Sequence, residues 1–478
     1  MQREKIGTHV NKKKNRIIGI VLCVIQMIVS IALLTQASVI PGKYLAIAIV
    51  ALFVMFGVTF TMQFSAKKAL GITGKVISIL MSIVLLIGTL GLYKVNHFFD
   101  AIGSEGLKVD NMIAVVRVDD PAQSIVDAKD YTFGIQETLD RGNTLKMCQE
   151  INGILDKSIH KKDYESLDLM ANALLSGETD AAIYNKAYTD IIEDSIEGYS
   201  DKVKVIYQFG IETKIEEKEV EAEKGFNIYI SGIDVAGPIE STSRSDVNII
   251  MSVNPTTKKI LLTTTPRDYY VPIPDISGGA NDKLTHAGIY GVDASIRTLE
   301  QLYGIEISYY AKVNFSSLIK IVDLLGGVDV YSDYTFSTGQ YSFNEGWNTL
   351  NGDQALAFSR ERYSFDSGDN QRGKNQEAVI EGILKKAMTP AVLNKAGTII
   401  EQISGSIETN MGVDKMKQLV NMQLADNATW EINSQAAVGQ GDYNSCYSSG
   451  SQLLYVMYPD ESSVSACATL MNSVVDGE

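Results

Sequence analysis

Arginine is scarce in this chain. Ten arginines stand against 32 lysines among 478 residues, and five of the ten are Arg244, Arg267, Arg360, Arg362 and Arg372. Positive charge is short overall. The formal net charge is −15, which argues against a nucleic-acid-binding role, because such a role needs a basic face to neutralise phosphates. Cysteine is limited to four residues and histidine to four. No cysteine sits near a histidine and no serine lies in a nucleophile-elbow sequence, so covalent hydrolase chemistry has no support.

Long apolar segments are present at the N-terminus. Ile17–Ile40, Tyr44–Phe64 and Val76–Val95 each approach the ~20 residues a helix needs to cross a bilayer. A cleaved signal peptide shows one short apolar core, not three in series. Orientation follows the basic residues: Arg3, Lys5, Lys12, Lys13, Lys14 and Arg16 precede the first span, Lys43 alone lies in the first loop, and Lys67, Lys68 and Lys75 lie in the second. This pattern predicts a cytoplasmic N-terminus and an exterior location for everything after residue 97. Those ~380 residues can bury a core without staples. Cys23 lies in the first span; Cys446 and Cys467 could form a disulfide outside the membrane, which would leave Cys148 unpaired.

Residues 98–218 read as a small α/β accessory domain with no phosphate loop, metal cluster or nucleophile motif. Met112–Val118 reads as a strand, Thr144–Leu155 and Lys162–Leu175 as helices, and Asp119–Pro121 and Asp127–Gly134 as loop and turn. The charged run Lys214–Lys224 marks a linker. A further domain, 219–478, begins with strands at Phe226–Ser231, Val247–Val253 and Lys259–Thr265, the last two joined by the turn sequence Asn254-Pro255-Thr256-Thr257. If these strands run up, down and up, Asp234, Asp246 and Arg267 emerge at one sheet edge. Asp293–Leu302 and Ser316–Leu325 read as helices, and Leu318, Ile319, Ile321, Val322 and Leu325 face either a core or an apolar ligand. Arg372 and Gln376, four residues apart, share a helix face. Residues 396–478 add further helix and strand.

Each charged residue has a bland explanation: turn aspartates, a local Arg267–Asp268 pair, a solvated patch at Arg360, Arg362 and Arg372. Two clusters distant in sequence nevertheless offer the same chemistry. Guanidinium forks bind phosphate oxygens bidentately, and paired carboxylates hold the magnesium that accompanies a diphosphate. An anionic phosphate ligand handled outside a membrane is the reading these residues favour. His286 is either structural or a residue that tunes the site.

The order of these pieces resembles the LytR–CpsA–Psr family. Ile230-Ser231-Gly232-Ile233-Asp234, Ser243-Arg244-Ser245-Asp246, Thr265-Pro266-Arg267-Asp268 and Lys283-Leu284-Thr285-His286-Ala287 carry the resemblance. Leu350-Asn351-Gly352-Asp353-Gln354-Ala355-Leu356 and the series Arg360, Arg362, Asp369, Arg372, Gln376 complete it, over about residues 226–390. Three spans and an accessory domain look like its capsule-type CpsA branch. Lys374-Asn375 departs from the more basic or glutamine-rich run of many members.

The resemblance implies an α/β fold with a central mixed β-sheet flanked by helices, preceded by the accessory domain and three transmembrane helices. It implies transfer of a capsular glycopolymer from a polyprenyl diphosphate carrier onto peptidoglycan through a phosphodiester, with Mg2+, and an apolar groove between sheet and helices for the isoprenoid tail. By position, Asp234 and Asp246 match metal-site carboxylates; Arg244, Arg267, Arg360, Arg362, Arg372 and Gln376 match head-group contacts, with Arg267 and Arg362 as transition-state clamps. Asp234, Asp246 and Asp268 are candidates for the base. Two alternatives remain: a lipid-binding regulator of capsule synthesis, signalling through the membrane helices to capsule synthesis and length-control proteins, and a diphosphatase in which water replaces the sugar hydroxyl.

Overall fold

The computed structural model describes the chain except residues 1, 38–41, 66, 104–106, 138, 216–220, 222–223, 234–242, 367, 394, 404–405 and 450–451. The chain divides into two compact units. One holds Met1–Ser104 with Leu393–Glu401 and Val413–Ala428; the other holds Glu105–Val392, Gln402–Gly412 and Thr429–Glu478.

The first unit is built on three helices, α1 (Gln2–Thr35), α2 (Gly42–Gln63) and α3 (Lys68–Gly103). Each contains a stretch long and apolar enough to cross a membrane: Ile17–Thr35, Tyr44–Gln63 and Ala69–Leu90. The third helix begins earlier than the hydropathy suggests, because Lys68–Lys75 continues the helical pattern ahead of the uninterrupted apolar run. Outward positions such as Ile47, Phe53 and Ile87 are exposed. Inside the bundle, Thr59 Oγ1 and Ser78 Oγ both donate to Gln26 Oε1, at 3.0 and 2.8 Å. Such a polar pin satisfies groups that lipid cannot. A later helix, Val413–Asp426, packs against α3.

The second unit is built on two main sheets, with four two-stranded ribbons beside them among the described residues. The smaller, in the order β3-β2-β4-β1-β5, comprises β1 (Leu107–Arg117), β2 (Thr132–Gln136), β3 (His160–Tyr164), β4 (Ala181–Asn185) and β5 (Val203–Lys214). β1 runs antiparallel to both neighbours, and β2 runs parallel to β3 and β4. Two expectations are corrected here. Lys162–Leu175 is not one helix: β3 ends at Tyr164 and a helix Leu167–Ser176 follows, with Ser166 as N-cap accepting from Leu169 N. The turn reading of Asp127–Gly134 fails from Thr132 onward, where β2 is almost wholly buried. Arg141–Leu155 forms α4.

The larger sheet has six strands. β6 (Phe226–Ile233), β7 (Ser245–Asn254) and β8 (Lys259–Thr264) form an antiparallel meander. Tyr309–Asn314 adds parallel to β6, Glu431–Ala436 parallel to β8, and Glu408–Thr409 closes the far edge. The turn after β7 is set by Asn254, whose Oδ1 accepts from Thr256 N and Thr257 N at 3.0 Å. One face of the sheet packs Tyr229, Ile250 and Leu261 against Leu299 from the helix Val292–Tyr303 and Met471 from Glu461–Asp476. The helices Phe315–Leu324, Gly352–Arg360 and Asp369–Ala387 pack together, and the last of them crosses β8. This is a mixed α/β fold. Val322 and Leu325 are buried in the core, while Leu318, Ile319 and Ile321 are half-buried. The four cysteines are free thiols; Cys446 and Cys467 are not joined, because they serve different packing environments, a loop end and a helix face.

Candidate functional site

The meander brings its chemistry to one edge. Opposite Gly232 and Ile233 the register of β7 skips Asp246, so that residue is the extra member of a β-bulge. Bulges re-aim side chains beside functional sites. A buried network fixes this one: Tyr229 Oη bonds with Ser245 Oγ at 2.8 Å and donates to Asn248 Oδ1 at 2.6 Å, while Ser231 and Ser245 hydroxyls meet at 2.8 Å.

Arg267, just beyond β8, donates from Nη1 to Asp246 Oδ1 at 2.8 Å. Thr285 Oγ1 donates to the same oxygen at 3.2 Å, and Thr285 N is tied to Arg267 O at 2.8 Å. Asp268 lies 3.7 Å from Arg267 Nε and 2.5 Å from Lys283 Nζ. Burial disfavours the Arg267 charge, but Asp246 and Asp268 outweigh it and hold its pKa above the ordinary arginine value.

The helix Asp369–Ala387 supplies the other wall. It passes so close to β8 that a Cβ on Gly373 would stand 3.0 Å from Thr264 Cγ2. That approach carries Arg372 and Gln376 over the sheet edge. Asp246, Arg267, Arg372 and Gln376 line one small cleft, together with Asp369 and Asn248. Arg372 Nη2 meets Asp369 Oδ1 at 2.6 Å. Its pKa is lowered chiefly by burial; Asp369 opposes that shift, and the nearby charges of Arg267 and Arg362 add to it. Arg362 is thus within electrostatic reach of the cleft, with Nη2 donating to Tyr363 Oη at 2.6 Å. Gln376 Nε2 donates to Ser359 O at 3.4 Å.

Other predicted residues sit elsewhere. Arg244 Nη2 donates to Asp190 O, 3.0 Å away on the smaller sheet's side of the unit. Arg360 is exposed and stacks on the Phe315 ring at 4.2 Å. Asp234 lies outside the described residues. Asp369 lines the cleft and Thr285 supports it through Asp246, though neither was singled out for a role by sequence; the i,i+3 spacing of Asp369 and Arg372 was the available signal.

His286 is buried. Its Nδ1 is 2.7 Å from Asp282 Oδ1 and 2.8 Å from Ser448 Oγ. Both partners meet the same ring nitrogen, so this group does not have the serine–histidine relay geometry, in which the two nitrogens are used separately.

Among the described residues no group of three or more His, Cys, Asp or Glu side chains could hold a metal alone. Asp246 Oδ1 accepts two hydrogen bonds, while Oδ2 has no partner among the described residues. One free carboxylate oxygen beside cationic anion-binding groups suits a hard cation that takes most of its ligands from phosphate and water.

The LytR_cpsA_psr family model matches residues 193–462. A protein of Oceanobacillus iheyensis named polyisoprenyl-teichoic acid–peptidoglycan teichoic acid transferase TagU is 35% identical over 201 residues, covering 41% of this chain and 61% of that protein. The TagU of Bacillus subtilis is 35% identical over 207 residues, covering 43% and 66%. The chain thus spans just under two thirds of the length of these relatives. The crystal structure of B. subtilis TagU aligns at 29% identity and a TM-score of 0.41, covering 53% of this chain and 97% of that one. The family match extends over more than half of the chain, through both walls of the cleft, and this protein belongs to the LytR–CpsA–Psr family.

Proposed function

We propose that this protein transfers a glycopolymer from a polyprenyl diphosphate carrier onto peptidoglycan, forming a phosphodiester. The observation that carries the proposal is the cleft shared by Asp246, Arg267, Arg372 and Gln376. Two half-buried guanidinium groups facing one small space can together grip an anion of more than one charge, and a diphosphate meets that description. The relatives' names describe transfer from a polyisoprenyl carrier to peptidoglycan. Three candidate spans and the accessory sheet support a capsular polymer here, where the relatives' names specify teichoic acid. The basic N-terminal tail supports a cytoplasmic N-terminus and an exterior cleft.

In this reading Arg267 and Arg372 grip the diphosphate oxygens, Arg362 swings in from the cleft margin, and the Gln376 amide donates a neutral hydrogen bond. Asp246 and Asp268 hold the Arg267 fork in position before substrate arrives, which is where electrostatic catalysis gains most. Attack by an acceptor sugar hydroxyl on the sugar-proximal phosphorus breaks its bond to the bridging oxygen and releases polyprenyl phosphate. The arginines neutralise charge as it moves to that leaving group. Mg2+, held by Asp246 and by Asp234, would supply Lewis-acid polarisation of the diphosphate.

The test is a transfer assay with full-length protein in detergent, a lipid-linked oligosaccharide diphosphate and a peptidoglycan fragment, with Mg2+ or a chelator. Cation-dependent joining of the two substrates is expected. Tight lipid binding with no product across a range of acceptors would point instead to a sensor.

A further inference from the structure

Beside the cleft stands an antiparallel hairpin of Gly439–Ser445 and Leu453–Pro459. It starts two residues after Ala437, which lines the cleft. Its second strand lies against the arginine loop, with Met457 N donating to Asp268 O at 2.7 Å and a parallel bridge between Tyr269 and Met457. On one face, Tyr443 and Tyr455 pair across the strands, ring centroids 5.8 Å apart and edge to face, and both are exposed, at 66% and 41%. The Tyr455 ring lies over Gly441, where a Cβ would come within 2.9 Å of the ring carbons. Its phenol pKa is raised by partial burial, and then by the charges of Asp268 and Asp369.

The hairpin is firmly held. Tyr270 Oη donates to Ser445 O at 2.7 Å, and the Tyr270 ring packs edge to face on Tyr458 at 5.4 Å. At the far end Tyr447 N donates to Asn281 O at 3.0 Å. Ser448 N donates to Asp282 Oδ2 at 2.9 Å, and its hydroxyl joins the buried Asp282–His286 pair. A buried ionisable pair is thereby spent on fixing a loop whose adjoining strands display exposed tyrosines.

Exposed aromatic faces on a rigid strand pair suit a pyranose. One face of a pyranose ring presents C–H bonds, and these pack against the negative face of an aromatic ring. We infer that Tyr443 and Tyr455 form a subsite for the first sugars of the lipid-linked glycan, the sugars joined covalently to the diphosphate in the cleft. This rests on the diphosphate reading above. The carrier's sugar-proximal phosphate sits at the arginines, so the next rings must leave the cleft across its rim, and the tyrosine pair is continuous with that rim.

The experiment titrates full-length protein in detergent micelles with two probes, undecaprenyl diphosphate and undecaprenyl diphosphate carrying an N-acetylglucosamine disaccharide. The glycan-bearing lipid is expected to bind roughly tenfold tighter. The double variant Tyr443→Leu/Tyr455→Leu should lose that advantage while holding the bare lipid as the wild type does, and Tyr443→Phe/Tyr455→Phe should keep it. Equal wild-type affinities for the two probes overturn the subsite and leave the diphosphate reading standing. So does a leucine variant that weakens both probes alike, or one that alters only the response to a peptidoglycan acceptor. Failure of the wild type to bind the bare lipid removes the diphosphate reading and the subsite with it.

Discussion

Arg267 and Asp246, 21 residues apart in sequence, meet at 2.8 Å where the bulged start of β7 faces the end of β8. The carboxylate orients a half-buried guanidinium that burial alone would disfavour. An arginine fixed in this way presents its remaining N–H groups to the cleft in one geometry, which a lysine cannot reproduce.

Arg267→Lys is therefore expected to lower kcat for transfer by roughly a hundredfold, with a smaller change in KM. Asp246→Asn should cost nearly as much, and the double variant little more than either single one, because the two act as a unit. Steady-state kinetics on the four proteins decides it; additive losses would mean that the residues work independently.

Arg372 and Arg360 should separate in the same assay. Arg372 is half-buried in the cleft wall beside Asp369, whereas Arg360 is exposed on the Phe315 ring. Arg372→Ala is expected to remove about two orders of magnitude in kcat/KM, and Arg360→Ala less than about one.

Glu377 links stability to pH. It is buried under the cleft helix, accepts from Thr264 Oγ1 at 2.6 Å, and burial pushes its pKa from 4.5 up to about 7. Between those two values the unfolded chain has released a proton that the folded chain keeps, so stability falls as pH rises, by up to about 3 kcal/mol above pH 7. Glu377→Gln should abolish this decline and raise the melting temperature at pH 8 relative to wild type. Thermal unfolding in detergent at pH 5 and pH 8 tests it; parallel pH slopes for the two proteins would refute it.

Ser448→Ala removes the hydroxyl that joins the Asp282–His286 pair. About 1 kcal/mol of local stability should be lost, read as faster amide exchange in the hairpin 439–459 with exchange in β6 and β7 unchanged.

Part of this site was legible in the sequence and part was not. Short alternating strands with a tight turn at Asn254 force an up-down-up meander, so Asp246 and Arg267 had to meet. Helical spacing likewise put Arg372 and Gln376 on one face. The direction of Arg244 was not legible, because it depends on the Asp190 carbonyl of the smaller sheet's domain, a contact 54 residues away. Arg360 stacks on Phe315 through tertiary packing that no local pattern encodes. Lys162–Leu175 misled because an exposed, charged edge strand carries no apolar alternation, and only Ser166 marked the break. His286 gave no sign of its second partner, since Ser448 lies 162 residues away.

The most direct measurement follows the phosphorus. Full-length protein and Arg267→Ala would be given lipid-linked oligosaccharide diphosphate, peptidoglycan fragments and Mg2+, with products resolved by 31P NMR and mass spectrometry. The account predicts one phosphodiester on peptidoglycan for each polyprenyl phosphate released, and loss of both signals in the variant. Polyprenyl phosphate released with only a phosphomonoester on the free glycan, acceptor being present, would contradict it and identify a diphosphatase.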